Sequence, residues 1–172
     1  MPCAFLPRYH RAGGGGRARH EPTGAARRAA CRPKTCAPYA EKAQVTLLLE
    51  PLNTRIDHKG YFLEYAQEAF DLVQETGSDR VRVLYDIYHQ HITEGVSIPL
   101  LEKNMHLIGH FHLAGYPGRH EPMVRDEIDA PAILQAIEAS GYQGCVGLEY
   151  LPATDADESL KKTLETLRNV LR

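Results

Sequence analysis

The chain has 172 residues and a nearly balanced charge, with 20 Lys and Arg against 22 Asp and Glu. That length accommodates one domain with its own core, and a formal net charge of −2 provides no overall field for nucleic acid or a membrane surface. No apolar run approaches the ~20 residues of a membrane-spanning helix. The four cysteines show neither zinc spacing nor a disulfide framework, which predicts a reduced, cytoplasmic setting.

The first 37 residues differ in composition from the rest of the chain. They contain the glycine run Gly13–Gly16, seven Arg and a single acidic residue, Glu21. No helical or strand period is visible, which predicts a disordered N-terminal tail over residues 1–37. Three origins stay open: an Arg-rich transit peptide, a basic nucleic-acid-binding arm, or sequence that is not native coding sequence. The glycines, prolines and scarce aromatic residues favour the third.

From position 38 the pattern becomes regular and predicts one domain over residues 38–172. Short apolar segments alternate with segments whose apolar residues recur at i, i+3 and i+4. The predicted strands are Val45–Glu50, Val81–Asp86, Leu107–Ala114 and Gly144–Tyr150. The predicted helices are Gly60–Thr76, Ile98–Met105, Ala130–Ser140 and Asp157–Leu171, and Ala40–Ala43 is interpreted as the end of an earlier helix.

Local signals set the limits and faces of these helices. Gly77 is the predicted stop of the first of them, and Asp129 is the predicted N-cap of the third, which Gly141 closes. One face of the first helix carries Phe62, Tyr65, Ala66, Ala69, Phe70 and Val73. The predicted inner face of the last helix carries Leu160, Leu164, Leu167 and Leu171.

Mostly apolar strands that alternate with helices indicate an α/β fold with a covered parallel sheet. Four βα units are half of an eight-stranded barrel, which takes ~250 residues. The sequence therefore predicts a partial (β/α)8 TIM barrel made of about four C-terminal βα units. The missing half could be lost, two chains could complement each other, or the sheet could stay open, so a homo-oligomer is one of the options.

Each predicted strand carries, at or near its end, a side chain that can bind a divalent cation. These side chains are Glu50, Asp86, His112 and Glu149. In (β/α) barrels the active site lies at the carboxyl ends of the strands. Two Glu, one Asp and one His meeting there make a hard, oxygen-rich site that suits Mg²⁺ or Mn²⁺. Each residue alone has an ordinary explanation as a solvated charge or an N-cap, but four in step with four strand ends favour a site.

Other polar residues near these strands are less informative. His110 lies deeper in its strand and is interpreted as a structural imidazole, whereas His58, His91 and His106 are interpreted as surface or loop residues. The long loop Gly115–Asp129 follows the third strand, on the side where loops determine specificity. In it Arg119 offers a planar fork to a carboxylate or a vicinal diol, with His120 and Glu121 placed to orient it. The alternative is a surface Arg in a polar loop.

The segments LLLEPLN, YDIYHQ, GHFHLAGYPGRHEP and GYQGCVGLEY resemble the C-terminal half of the hydroxypyruvate isomerase branch of the xylose isomerase-like TIM barrels. The resemblance covers about Tyr39 to Arg172. The combination of H-x-H-x-A, PGRHEP and GLEY is quite specific. The pieces EPLN and DIYH are shared more widely, including with ketose 3-epimerases.

The resemblance implies roles for individual residues. It implies the metal ligands Glu50, Asp86, His112 and Glu149. Of these, Glu50 and Glu149 are also implied as the proton-transfer pair. His89 and Arg119 match residues that contact substrate in relatives, and Glu121 is grouped with them as a substrate-binding candidate.

The implied function is a divalent-metal-dependent isomerase of a small hydroxy-carbonyl substrate, an intramolecular oxidoreductase of the aldose–ketose type. With hydroxypyruvate the product is 2-hydroxy-3-oxopropanoate (tartronate semialdehyde), formed through an enediolate. A base removes the proton beside the carbonyl, an acid returns it to the neighbouring atom, and a fixed cation stabilises the charge between the two steps.

Two alternatives remain open. Hydroxypyruvate isomerases often have Gln where His112 stands and the epimerases have His, so a ketose 3-epimerase or related sugar isomerase is the second hypothesis. The third is an inactive, truncated remnant, because relatives have four earlier βα units that supply part of the pocket wall. A nuclease of the same superfamily is disfavoured, since residues 38–172 are net acidic and nuclease grooves are basic.

Overall fold

The computed structural model describes residues 3–5, 24–122 and 126–170, which build one parallel sheet with helices packed beside it. Five strands are hydrogen-bonded in chain order, and every neighbouring pair is parallel. They are β1 (Cys3–Phe5), β2 (Thr46–Leu49), β3 (Val81–Asp86), β4 (Ile108–Leu113) and β5 (Val146–Leu148). The predicted α/β fold with a parallel sheet, of the kind found in part of a TIM barrel, is confirmed, and all carboxyl ends lie at one edge of the sheet.

Helices connect the strands. They are α1 (Gly24–Ala43), α2 (Ala66–Thr76), α3 (Ile87–Thr93), α4 (Ile98–Asn104), α5 (Ala130–Ala139) and α6 (Ala156–Val170), with a 3₁₀ turn at Met105–Leu107. Two predicted caps are present. Gly77 ends α2 in the left-handed region at φ 64°, and the Asp129 side chain accepts a hydrogen bond from the backbone N–H of Ala132. None of the helices in the described residues is both long and apolar enough to cross a membrane.

The N-terminal stretch differs from the prediction of a tail without regular structure. Cys3–Phe5 pairs with β2, and α1 begins at Gly24 and runs across position 38. The physical reason is composition: Ala and Arg are good helix formers, and Ala37 and Ala40 lie one turn apart and are buried against the core. Residues 1–2 and 6–23, which belong to the same prediction, lie outside the described residues.

Helix α2 begins at Ala66, six residues later than the predicted start at Gly60. Gly60 has φ 81°, and Tyr65 is extended at φ −96° and ψ 139°, so neither residue can belong to a continuous helix. Phe62 and Tyr65, which were predicted on the inner face, are 41% and 42% exposed. Residues 62–65 therefore lie in a loop, although their apolar residues continue the helical spacing of α2.

The alternation of side chains along the strands separates a packed face from a polar one. Tyr85 of β3 stacks on Phe70 of α2 and contacts Phe111 of β4, with ring centroids 6.4 and 6.0 Å apart. The residues that alternate with Tyr85 and Phe111 along β3 and β4 point to the other face of the sheet. On that face Asp86 lies opposite His112 in the register. Tyr85 and Phe111 therefore pack toward the helices, whereas Asp86 and His112 lie together on the opposite face.

Helix α6 packs differently from the prediction. Leu160 and Leu164, predicted on its inner face, are 44% and 39% exposed, whereas Ser159 and Thr163 are buried. The Tyr150 hydroxyl lies 2.9 Å from Ser159 Oγ and 3.5 Å from Thr163 Oγ1, so a hydrogen-bonded face has turned inward instead of the leucines. Leu167 is half-buried, and Leu171 lies outside the described residues.

Candidate metal centre

Four side chains from four adjacent strands meet at the carboxyl edge of the sheet. Each offers one ligand atom, and these atoms all lie within 4.8 Å of one another. We call this group the rim cluster: Glu50, Asp86, His112 and Glu149. Glu50 follows β2 directly, Asp86 ends β3, and Glu149 follows β5, so the parallel register alone brings them side by side.

The imidazole of His112 is the centre of the rim cluster. Its Nδ1 lies 3.2 Å from Glu149 Oε2, 3.8 Å from Glu50 Oε1 and 3.9 Å from Asp86 Oδ2. This nitrogen is buried, yet within the described part of the chain it has no hydrogen-bond partner. A buried nitrogen that faces three carboxylate oxygens without a hydrogen bond fits the ligand set of a divalent cation.

Asp86 is the most deeply placed member, with a side chain that is 1% exposed. Its Oδ1 accepts a hydrogen bond of 3.1 Å from the backbone N–H of His89, which caps α3. Its Oδ2 faces His112 and Arg119. One carboxylate therefore both starts a helix and contributes an oxygen to the rim cluster.

The pKa values in the rim cluster reflect crowding of acidic groups. Burial, aided by the charge of Asp86, raises the pKa of Glu50 to about 7, and burial also raises the pKa of Asp86. Contact with His112, followed by the charge of Arg119, lowers the pKa of Glu149 to about 2. Burial lowers the pKa of His112, but Glu149 and the other carboxylates outweigh it, so the net shift is upward. The cluster therefore favours positive charge at its centre.

Arg119 reaches the rim cluster from the loop after β4. Its guanidinium lies 2.5 Å from Glu149 Oε2 and 3.2 Å from Asp86 Oδ2, and its central carbon is 4.9 Å from the centroid of the Tyr88 ring. The loop is tied down because the Arg119 carbonyl accepts a hydrogen bond of 2.7 Å from the backbone N–H of Leu151. The guanidinium is thus held between an aromatic face and two carboxylates.

Two neighbours of Arg119 lie elsewhere than the sequence suggested. Glu121 Oε1 accepts hydrogen bonds from Ser159 Oγ at 2.5 Å and from the backbone N–H of Ala153 at 3.0 Å. His120 Nδ1 lies 2.8 Å from the carbonyl of Leu151. Both therefore attach the loop to the segment that follows β5, and they hold Arg119 through the backbone instead of through its side chain.

His89 lies beside the rim cluster, and its surroundings include residues that the sequence did not single out. Its Nδ1 is 2.6 Å from Asn53 Nδ2, and its ring packs edge-on against His58 and Tyr88. Burial and the charge of Arg119 lower the pKa of His89 to about 3. The only sequence signals for Asn53 and Tyr88 were their places in LLLEPLN and YDIYHQ, and His58 was interpreted as a surface or loop residue.

His110 stays outside the rim cluster, as its structural interpretation requires. Its ring packs edge-on against His112 at 5.1 Å between centroids, and the strand next to it carries Gly147. A Cβ on Gly147 would lie 2.8 Å from His110 Nε2 and 3.2 Å from His112 Cδ2. Glycine at this position therefore lets β5 approach both imidazoles closely.

The sequence profile of the xylose isomerase-like TIM barrel family matches residues 3–170 of the chain. The chain is 38% identical over 116 residues to a protein of Cupriavidus necator named 2-oxo-tetronate isomerase, covering 67% of this chain and 44% of that protein. It is 34% identical over 120 residues to the hydroxypyruvate isomerase of Escherichia coli, covering 70% of this chain and 46% of that protein.

Among solved structures, the chain is similar to one from Brucella melitensis described as an AP endonuclease of family 2. The TM-score is 0.74 at 32% identity, and the match covers 81% of this chain and 54% of that one. The chain thus spans less than half the length of the curated relatives it matches.

Proposed function

The chain belongs to the xylose isomerase-like TIM barrel family, and from that premise we propose that it carries the metal-holding part of a divalent-metal-dependent isomerase. The proposed substrate is a small hydroxy-carbonyl compound, first of all hydroxypyruvate, which is converted to 2-hydroxy-3-oxopropanoate. The observation that carries this proposal is the rim cluster, with four ligand atoms from four strands within 4.8 Å of one another.

In this proposal the rim cluster holds Mg²⁺ or Mn²⁺ through Glu50, Asp86, His112 and Glu149. The buried Nδ1 of His112, which makes no hydrogen bond to any described residue, and the three carboxylates that face it support that assignment. A bound cation would supply electrostatic stabilisation for the negative charge that develops on the substrate oxygens.

Glu50 and Glu149 are the proposed proton-transfer pair. They follow the two outer strands of the rim cluster, β2 and β5, so they flank Asp86 and His112. One of the two, as the carboxylate, takes the proton from the carbon that bears the hydroxyl, which leaves an enediolate, and the proton of that hydroxyl passes to the former carbonyl oxygen. The other, as the protonated carboxyl group, donates its proton to the former carbonyl carbon, and proton exchange with solvent restores both groups. Glu50, with 20% of its side chain exposed, faces a more enclosed space than Glu149, with 53% exposed.

Arg119 and His89 are the proposed substrate contacts. The planar guanidinium matches the carboxylate of hydroxypyruvate. Tyr88 packs on the guanidinium beside the rim cluster, and the Leu151 backbone N–H fixes the Arg119 backbone carbonyl. Glu121 supports this contact indirectly, because its hydrogen bonds to Ser159 and Ala153 fix the loop that carries Arg119. Arg119→Lys should lower the ratio of kcat/KM for hydroxypyruvate to that for an uncharged ketose about tenfold or more. An unchanged ratio would remove Arg119 from this role.

A ketose 3-epimerase or related sugar isomerase is the second candidate. The imidazole of His112 at the centre of the rim cluster favours it, because the epimerases that the sequence resembles have His at this position. Assays of the same preparation on hydroxypyruvate and on free ketoses distinguish the two reactions, and the larger kcat/KM identifies the substrate class.

The test of the proposed function is turnover of hydroxypyruvate with Mg²⁺ or Mn²⁺, followed by removal of the metal with EDTA. Glu50→Gln and Glu149→Gln should each lower kcat by about 10²- to 10⁴-fold, because general acid–base catalysis contributes that much. Glu102→Gln, an exposed position in α4, is the matched control and should leave kcat unchanged. Full activity in either site variant would refute the proton-transfer pair.

Because the chain covers less than half the length of its relatives, the test needs a second experiment. The chain is assayed alone and together with the part of the Escherichia coli relative that precedes the matched region. Turnover in either sample supports the isomerase, whereas metal binding without turnover in both supports an inactive remnant. Size-exclusion chromatography of the same samples reports whether a homo-oligomer forms. The cytoplasmic setting stays a prediction from cysteine usage.

A further inference from the structure

Asn53 and His89 form a buried polar pair that lies next to the rim cluster but outside its ligand set. Asn53 is 0% exposed and His89 is 1% exposed. Asn53 belongs to the segment after β2, and His89 lies in the first turn of α3. Their side chains meet at 2.6 Å, between Asn53 Nδ2 and His89 Nδ1. Because burial leaves no water to satisfy either group, the donor and the acceptor must be assigned within the pair.

Backbone contacts fix the orientation of the Asn53 amide. Its Oδ1 accepts hydrogen bonds from the backbone N–H groups of Ile56 at 3.0 Å and Asp57 at 3.1 Å, and a backbone N–H can only donate. The opposite end must therefore be the NH₂ group. One of its hydrogens points to Asp57 Oδ2 at 2.7 Å, and the other points to His89 Nδ1.

The fixed amide determines the tautomer of His89. Since Asn53 donates to Nδ1, that nitrogen must carry a lone pair, and the proton of the neutral ring resides on Nε2. Nε2 lies 3.6 Å from Asp86 Oδ2, the same oxygen that lies 3.9 Å from His112 Nδ1. The N–H of the imidazole is therefore directed at the rim cluster.

The neighbouring residue makes this arrangement rigid. Gln90 is 0% exposed, and its Nε2 donates to the carbonyls of Pro51 at 3.1 Å and Glu64 at 3.4 Å. Two consecutive side chains of α3 thus hold the segment that connects Glu50 to Asn53.

We propose that Asn53 is a positioning residue that sets His89 as a neutral donor through Nε2, directed at the rim cluster and at an oxygen of the bound substrate. The tautomer follows from contacts within this chain. The identification of the acceptor as an oxygen of a small hydroxy-carbonyl compound rests on the proposed function.

The tautomer is measured by long-range ¹H–¹⁵N NMR correlations of the labelled chain at pH 7.5, without metal or substrate. The His89 ring signals are assigned by their loss in His89→Gln. We expect the native ring to carry its proton on Nε2. In Asn53→Asp a carboxylate oxygen faces Nδ1, so a proton should appear on Nδ1. Asp57→Asn, which alters the other partner of Asn53, is the matched control and should keep the native tautomer.

Asn53→Asp also places a second carboxylate beside Asp57, which could unfold the segment. The double variant Asn53→Asp/Asp57→Asn removes that repulsion and should show the same proton on Nδ1 in a chain with native backbone resonances. A native ring protonated on Nδ1, or an unchanged ring in the folded double variant, overturns the inference. These readouts need no turnover, so a chain with the expected tautomers but no isomerase activity fails only the proposed function.

Discussion

At the residue scale, Asp86 combines two roles that sequence reasoning treats as alternatives. An Asp before a helix is ordinarily an N-cap, and an Asp at a strand end in a (β/α) barrel is ordinarily a site residue. Here Oδ1 caps α3 and Oδ2 faces His112, because the carboxylate lies where the strand passes directly into the helix. The two roles can be separated by substitution.

Asp86→Asn keeps an oxygen for the cap but removes the charge, so we expect Mn²⁺ affinity to fall about 10- to 100-fold, the range for loss of a charged contact. The metal-free variant should unfold at no lower a denaturant concentration than the native chain, because burial already opposes the charge of Asp86. The free energy of unfolding of Asp86→Ala should be about 1 kcal/mol lower than that of Asp86→Asn, since alanine also removes the helix cap. Isothermal titration and urea unfolding measure the two effects. Equal stability of the two variants would contradict the capping role.

Other features of the site depend on contacts that no local pattern reports. The four candidate ligands could be listed from the sequence because each stands at the end of a strand, and parallel strands end together. Asn53 could not be connected to His89, since 36 positions separate them and the contact depends on how the segment after β2 folds back over α3. The position of Glu121 was likewise determined by Ser159, on a helix 38 positions away.

At the element scale, the close approach of β5 to β4 depends on Gly147. His112 and Gly147 are paired in the register, and His110 lies on the same face of β4. The space above Gly147 is therefore filled by two imidazoles, of which one belongs to the rim cluster.

Gly147→Ala should destabilise the chain by about 1–3 kcal/mol, the usual cost of overpacking, because the new methyl group would lie 2.8 Å from His110 Nε2. His110→Ala removes that nearest contact. The double variant should therefore lose less free energy of unfolding than the two single variants lose together. Urea unfolding of the four proteins completes the cycle. Additive losses would mean that the two positions do not share this space.

Helix α6 has an apolar stripe that could be predicted, but its orientation could not. Its leucine spacing is regular, but the structure turns Ser159 and Thr163 inward, where Tyr150 offers a hydroxyl. The spacing of apolar residues shows that a helix has an apolar stripe. It does not show which face of the helix packs against the rest of the protein.

We therefore expect Leu160→Glu and Leu164→Glu to change the free energy of unfolding by no more than about 0.5 kcal/mol each, as surface substitutions do. Thr163→Glu, on the buried face of the same helix, should cost about 1–3 kcal/mol because a charge would be buried there. Thermal unfolding followed by circular dichroism compares the three. A large loss at Leu160 and none at Thr163 would place the leucine face inside after all.

At the scale of the whole molecule, four strands could be predicted from alternation alone, with limits within a few residues, and so could the helices α2, α4, α5 and α6. Helix α3, which follows β3 directly, was not predicted. Of the N-terminal helix α1 only the end, Ala40–Ala43, could be predicted, because the helix is supported by Ala37 and Ala40 packing on the core, a tertiary contact. The sheet as a whole places acidic side chains together at one edge, and this arrangement should couple metal binding to folding.

Mg²⁺ or Mn²⁺ at about 100 times its dissociation constant should stabilise the folded chain by about 2.7 kcal/mol, since the rim cluster exists only when the strands are assembled. Differential scanning fluorimetry measures the rise in melting temperature, and EDTA should reverse it. His112→Ala should abolish the rise, whereas His110→Ala, two positions earlier in β4, should retain it. A rise that survives in His112→Ala would place the cation elsewhere.

The candidate ligands all come from consecutive strands, between positions 50 and 149 of the chain. In the proposed enzyme, cation chemistry is therefore encoded by one uninterrupted piece of sequence. If that piece were joined to different flanking segments, the protein surface that covers the reaction centre would change, while the ligands of the centre would stay the same.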